Sequence, residues 1–160
     1  VKLPGRVIGI ESVKGAVLDA NRNAVINGIV NARYVCGKAE EELPRMVRTK
    51  AQEEQAVREA VKQRGETAAK KELLKDEALR IAHADVAILD PPRAGSTPEF
   101  LEAACALKPR RITYISCNPV TQERDLHQLL DGGYRLLKIT PVDMFPHTHH
   151  VENVVKLVRR

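Results

Sequence analysis

Four short apolar runs punctuate the chain: Arg6-Val7-Ile8-Gly9-Ile10, residues 32–36, Val86-Ala87-Ile88-Leu89 and Arg111-Ile112-Thr113-Tyr114-Ile115. Stretches of helical periodicity lie between them. Strands alternating with helices leave few solutions, because parallel neighbours need a long crossover and a helix supplies it. The rhythm predicts an α/β fold around a mainly parallel sheet. Strands are expected at about 6–10, 32–36, 85–89 and 111–116. A helix is expected from Val13 to about Gly28, where Val13, Ala16, Val17, Ala20, Ala24 and Val25 fall at three- and four-residue spacing and Gly28 supplies a stop. A second runs from about Pro98 to Leu107, with Thr97 as its cap and Pro98 in its first turn. A third covers about 120–131 and ends at Gly132-Gly133. Tyr134–Thr140 and Val151–Val158 close the chain as an antiparallel pair at the edge of the sheet.

Residues 39–82 break the rhythm. They carry no strand signal, and Gly65 is their only glycine. Over 38–80 the charges nearly cancel, 11 Lys and Arg against 10 Asp and Glu. This predicts one or two solvated helices, in part an insertion, bent near Gly65. The balance argues against a strongly RNA-binding arm.

At 160 residues the chain is one domain's worth, long enough to bury a core. No apolar run approaches the roughly 20 residues that span a bilayer. Its three cysteines (Cys36, Cys105 and Cys117) are odd in number and widely spaced, which fits neither a disulfide framework nor a zinc site. An intracellular setting, cytoplasmic or nuclear, is expected. The net charge of +5 is compatible with a polyanionic partner. Five aromatic residues and no Trp leave no evident platform for stacking bases. The chain opens at Val1 without an initiator Met, so a piece of a longer protein is expected.

Chemistry-bearing residues gather where strands end, at the carboxyl edge where open α/β sheets bind ligands. Cys117 ends the run 111–116 in Ser116-Cys117-Asn118-Pro119. A buried free cysteine commonly acts as a small hydrophobe. Cys36 and Cys105 have no chemical neighbours in sequence, whereas Cys117 enters an Asn-Pro turn near a helix start, where a thiolate can be favoured. Asp90-Pro91-Pro92-Arg93 ends the preceding strand. Its prolines make a stiff loop, either a ligand platform or simply a rigid turn, and Arg93 adds a fork for phosphate or carboxylate. Glu11 ends the first strand, where a carboxylate can accept ribose hydroxyls or stand solvated. Glu152 opens the last strand and can take a proton or be an edge charge. His147, His149 and His150 lack matched ligands elsewhere, so no metal site is expected.

Four segments then match one family in order and spacing: Val7-Ile8-Gly9-Ile10-Glu11, Asp90-Pro91-Pro92-Arg93-Ala94-Gly95, Ser116-Cys117-Asn118-Pro119 and Asp143-Met144-Phe145-Pro146-His147-Thr148-His149-His150-Val151-Glu152. The chain resembles the catalytic domain of the RNA uracil-C5 methyltransferases, which use S-adenosylmethionine to make 5-methyluridine in tRNA or ribosomal RNA. The resemblance spans almost everything outside about 45–82. It implies a Rossmann-like class I S-adenosylmethionine-dependent methyltransferase fold, with residues 1–160 as its C-terminal part and 39–82 as a charged helical insertion. It makes Cys117 the nucleophile that adds to uracil carbon 6 and Glu152 the base that removes the carbon 5 proton. Glu11 would hold the cofactor ribose, and Asp90 would lie between cofactor and uracil. RNA is the implied partner. The run 87–95 leans toward tRNA-modifying members, eukaryotic ones in particular, with ribosomal RNA as the alternative.

His149 stands where the family usually has Gly or Pro. The family's first strand and Gly-rich loop, together with its RNA-binding regions, are not within these residues. The fold is therefore expected to be incomplete, with the strands at 6–10 and 86–89 each short of a shared neighbour, and inactive without the rest of the parent chain. Two other readings differ in what they ask of Cys117. An amino-group methyltransferase using Asp90-Pro91-Pro92 needs no thiol, and neither does a non-catalytic RNA-binding fragment.

Overall fold

The computed structural model describes residues 5–48, 50–64, 80–148 and 150–160. The chain divides into two compact units, Val1–Leu43 and Pro44–Arg160.

In the first unit, strands β1 (Val7–Glu11) and β2 (Ala32–Cys36) pair in parallel, in register from Val7↔Ala32 to Glu11↔Cys36. Helix α1 (Lys14–Ile26) makes the crossover and turns Val17 and Ala24 inward. It stops where its periodicity predicts. Gly28 takes φ +64°, its N–H bonds to the Val25 carbonyl, and the Ile29 N–H reaches back to Ala24. This closure of the last turn needs the left-handed conformation glycine adopts at little cost.

Helix α2 (Ala39–Val47) falls where one or two solvated helices were expected, but it is not solvated all round. Leu43 and Met46 are buried, three residues apart on one stripe, and the Ile81 N–H donates to the Met46 carbonyl. The apolar stripe was there to be read, with Leu43, Met46 and Val47 at three- and four-residue spacing, but the charged composition of the stretch outweighed it. Helix α3 (Lys50–Arg64) buries none of its described side chains, as expected of a solvated helix. The bend near Gly65 falls outside the described residues.

The second unit holds a four-stranded sheet ordered β3 (Val86–Leu89), β4 (Arg111–Ser116), β6 (Glu152–Arg159), β5 (Tyr134–Val142). β3 and β4 are parallel, and β6 runs antiparallel to both β4 and β5. Among the described strands β1 pairs only with β2, and β3 only with β4. Helix α4 (Pro98–Ala106) starts as predicted: the Thr97 hydroxyl caps Phe100 N–H and Pro98 sits in the first turn. Helix α5 (Pro119–Asp131) is capped by Asn118 and ends at Gly132.

Period-two alternation decides which face of this sheet is buried. Ile112, Tyr114 and Ser116 of β4 and Val155 and Leu157 of β6 point to one side, with Leu89. They pack with Phe100, Leu101, Ala103 and Ala104 of α4 and Leu129 of α5. Tyr134 is also buried, its hydroxyl donating to the Pro109 carbonyl. Burial pushes the Tyr134 hydroxyl up to about 12, with Cys105 adding to the rise and Arg159 opposing it. Burial, then the hydrogen bond to Asp125, pushes Tyr114 higher still. A pKa raised by folding gives stability that is whole below the unfolded value, about 10, and lost as pH climbs toward the folded one. Thermal melting is therefore expected to fall steeply above about pH 10. Tyr134→Phe, referred to its own neutral-pH value, should fall less steeply.

Candidate active site

Parallel β3 and β4 deliver Asp90 and Cys117 to the same edge of the sheet, and antiparallel β6 begins there with Glu152. The β4–β6 ladder ends at Ser116↔Asn153. Cys117 follows β4 directly, and Glu152 opens β6 one residue before Asn153, so both stand at this end of the ladder. Cys117 and Glu152 are half-buried, and Asp90 is exposed. By alternation along β6, Glu152 belongs to the face opposite the packed core. Three of the four sequence-predicted residues, Asp90, Cys117 and Glu152, thus stand at strand ends along one edge within one unit.

Glu11 lies in the other unit, at the carboxyl end of β1. Its Oε1 accepts the Val13 N–H at 2.7 Å and the Ser12 hydroxyl at 3.3 Å, which fixes the carboxylate at the start of α1. Oε2 has no partner among the described residues and stays open to a further donor.

The loop after β3 is tied to α5 along most of its length. The Arg93 carbonyl accepts Asn118 Nδ2 at 3.1 Å and the Thr121 hydroxyl at 3.1 Å. Asn118 also caps α5 through Oδ1 to the Val120 N–H, so one residue starts the helix and holds the loop beside Cys117. Arg124 donates to the Ala94 and Ser96 carbonyls. Asp125, 2% exposed, is the anchor: its Oδ2 accepts the Ser96 N–H at 2.7 Å and the Tyr114 hydroxyl at 2.5 Å, and its Oδ1 is gripped by Arg124. Asp125→Ala strands two buried donors and an arginine, and should cost about 3–5 kcal/mol in denaturant unfolding.

Gly95 makes this close approach possible. It sits at φ +81°, and a Cβ there would lie 2.5 Å from Arg124 Nη2 and 2.7 Å from Asp125 Oδ2. Gly95→Ala adds left-handed strain to a clash with the anchoring pair, for an expected loss of at least about 2 kcal/mol.

The loop leading into β6 docks on the same segment. Arg93 Nη2 donates to His150 Nδ1 at 2.8 Å, so the imidazole proton belongs on Nε2. The His150 ring also meets Phe145 edge-on, with centroids 6.4 Å apart. Thr148 bonds the Phe145 carbonyl through its hydroxyl and accepts the His150 N–H. Arg93 thus joins the loop after β3 to the loop that positions Glu152. His149 lies outside the described residues. Among the described residues no three of His, Cys, Asp and Glu gather as a metal site.

The residues that hold this edge were missed by the motif reading. Gln122, 1% exposed, donates to the Tyr114 and Asn153 carbonyls, and its Oε1 accepts Asn153 Nδ2 at 2.6 Å. It bridges β4 and β6 next to the Cys117–Glu152 position. The available signal was spacing: Gln122, Asp125 and Leu129 recur at three and four residues, placing two polar side chains on the apolar stripe of α5. Cys105 lies elsewhere, in α4. Burial, then the Glu102 charge, pushes its thiol up, away from the reactive thiolate.

The fold and this edge place the chain among Rossmann-like methyltransferases. The structure is similar to TrmN from Thermus thermophilus, with a TM-score of 0.58 over 97% of this chain and 36% of that one; at 16% identity the likeness is one of fold. It is also similar to the Pyrococcus abyssi tRNA (uracil-54, C5)-methyltransferase solved with S-adenosyl-L-homocysteine. There the TM-score is 0.64 and the identity 32%, over 96% of this chain and 29% of that one. Residues 4–160 match the model of the tRNA (Uracil-5-)-methyltransferase family, and the chain belongs to that family. Relatives include uncharacterized RNA methyltransferases of Lactobacillus johnsonii, 45% identical over 153 residues, and Porphyromonas gingivalis, 43% identical over 155 residues. In both cases 96% of this chain aligns, and it spans about a quarter (27%) of the relative's length.

Proposed function

We propose that this chain is the catalytic part of an RNA methyltransferase that makes 5-methyluridine, with S-adenosylmethionine as cofactor and tRNA as the favoured RNA. The observation that supports the reading most is the β3–β4–β6 arrangement, in which Asp90 and Cys117 follow β3 and β4 at the edge where Glu152 opens β6. Family membership supports it, and so does the relative from Pyrococcus abyssi.

When bound, S-adenosylmethionine supplies an electrophilic methyl group; Glu11, with Oε2 open, would hold its ribose, and Asp90 would stand between it and the uracil. Uracil carbon 5 is too weak a nucleophile to take that methyl unaided. Cys117 bonds its sulfur to carbon 6, and the electron pair displaced from the 5,6 double bond makes carbon 5 nucleophilic. Once methylated, carbon 5 still carries its hydrogen. Glu152 takes that proton, the double bond re-forms, and the Cys117 sulfur leaves. The target base must be unstacked to reach a thiol at a sheet edge. The Arg93–His150 contact and the Gln122 bridge keep both loops, and so both groups, in place.

The complete protein that carries this chain is expected to transfer labelled methyl groups from S-adenosylmethionine to unmodified tRNA transcripts. Nucleoside mass analysis should find them on carbon 5 of uridine; methyl groups on base nitrogens instead would overturn the reading. The 160 residues by themselves should bind the cofactor poorly, because β1 and β3 each have one partner among the described strands. Calorimetry giving micromolar affinity would contradict this.

A further inference from the structure

The face of the sheet that carries Glu152 also carries rows of cations. Register and alternation put Lys156 of β6 directly opposite Lys138 of β5, two rows from the Cys117–Glu152 position. The β-bulge at Leu137 brings Lys138 to that side. One row further on, Arg111 of β4 and Arg135 of β5 flank Val158. At about 6.8 Å per row, the lysines lie roughly 13 Å and the arginines roughly 20 Å from the candidate site. All four side chains are exposed, and none has an acidic partner among the described residues. Glu152 is the only acidic residue in the four strands.

Like charges directly opposite each other on neighbouring strands destabilise a sheet, so the lysine pair does not serve the fold. Nor can another segment of protein cover these cations without supplying partners, because buried unpaired charge is prohibitive. The β3 end of the same face is different: Val86 is 56% and Ile88 70% exposed, apolar residues that a segment of protein could cover. The face is therefore split, apolar toward β3 and cationic toward β6 and β5.

We infer that the Lys138–Lys156 and Arg111–Arg135 rows form a track for the phosphate backbone of the substrate RNA, on the strand that leads away from the reacting uridine. This surface rests on the reading of Cys117 and Glu152 as the site. Its occupant follows from charge: successive cation rows along one direction match a chain of phosphates, and phosphate contacts position an RNA without reading its sequence.

The test uses the complete protein and a fluorescently labelled, uridine-containing RNA stem-loop, comparing wild type with Lys138→Gln/Lys156→Gln and Arg111→Gln/Arg135→Gln. Each double variant should weaken RNA binding roughly tenfold or more and flatten the plot of log Kd against log salt by about 1.5–2. The loss should fall in KM and not in kcat. Melting temperatures should be unchanged, or higher for the lysine pair. Unchanged affinity and salt slope in both variants would overturn the track. So would variants that keep RNA binding but lose binding to poly-glutamate, which would make the surface a dock for acidic protein. The wild type must separately form a covalent adduct with 5-fluorouridine RNA. If it forms none while the salt slopes still fall, the track stands and the reading of the site fails.

Discussion

Replacing Cys117 with alanine in the complete protein is expected to abolish methylation of uridine carbon 5, by about 10⁴-fold or more, while RNA is still bound. The size of the loss follows from the chemistry. Without a bond at carbon 6, carbon 5 is too weak a nucleophile to take the methyl group, and positioning alone cannot replace that activation. Stability should hardly change. Cys117 is half-buried at a strand end, and the hydrogen bonds that order this edge belong to Ser116, Asn118 and Gln122. Labelled methyl incorporation checks the activity, and a thermal melt checks the fold. Cys117→Ser should be nearly as inactive, since a hydroxyl is far less ionised than a thiol. Substantial activity in either variant would move the nucleophile elsewhere.

Glu152→Gln should fail at a different point. The amide keeps the size of the side chain but cannot accept the carbon 5 proton, so addition proceeds and elimination stalls. Turnover should fall by about 10²–10⁴-fold. Ordinary uridine-containing RNA, with no fluorine substitution, should then remain attached to the protein through Cys117 on a denaturing gel. That accumulation separates a base from a structural carboxylate, because a residue needed only for folding would lower adduct formation and turnover together. Glu152 begins β6 opposite Val142, and Asn153 beside it carries the contacts with Gln122, so the substitution leaves the bridge between strands intact.

The sheet was legible because its grammar is local. Runs of β-branched residues fix the strands, and Thr97, Pro98, Asn118 and Gly28 mark helix ends by chemistry that acts within a few residues. That Asp90, Cys117 and Glu152 stand at one edge was legible too, since strand ends of such a fold share an edge. What holds them there was not. The Asp125 anchor joins residues 29 apart in sequence, from Ser96 to α5, and the Arg93–His150 contact joins residues 57 apart. Such pairings depend on tertiary approach, and nothing in local spacing announces a partner. Helix α2 failed for a related reason: two buried residues, Leu43 and Met46, sit inside a charged stretch whose composition reads as solvated. The cation track was hidden by the bulge at Leu137, which shifts Lys138 into line with Lys156 against the simple alternation of the strand.

The central claim is that Cys117 forms a bond to uracil carbon 6 and that a base must then free it. RNA carrying 5-fluorouridine tests this most directly, because fluorine at carbon 5 cannot be removed as a proton. Incubated with the complete protein and S-adenosylmethionine, it should yield a complex that survives denaturation, and mass analysis after digestion should place the modified nucleotide on Cys117. If methylation of ordinary RNA proceeds but no such complex forms with Cys117 intact, the covalent mechanism is wrong.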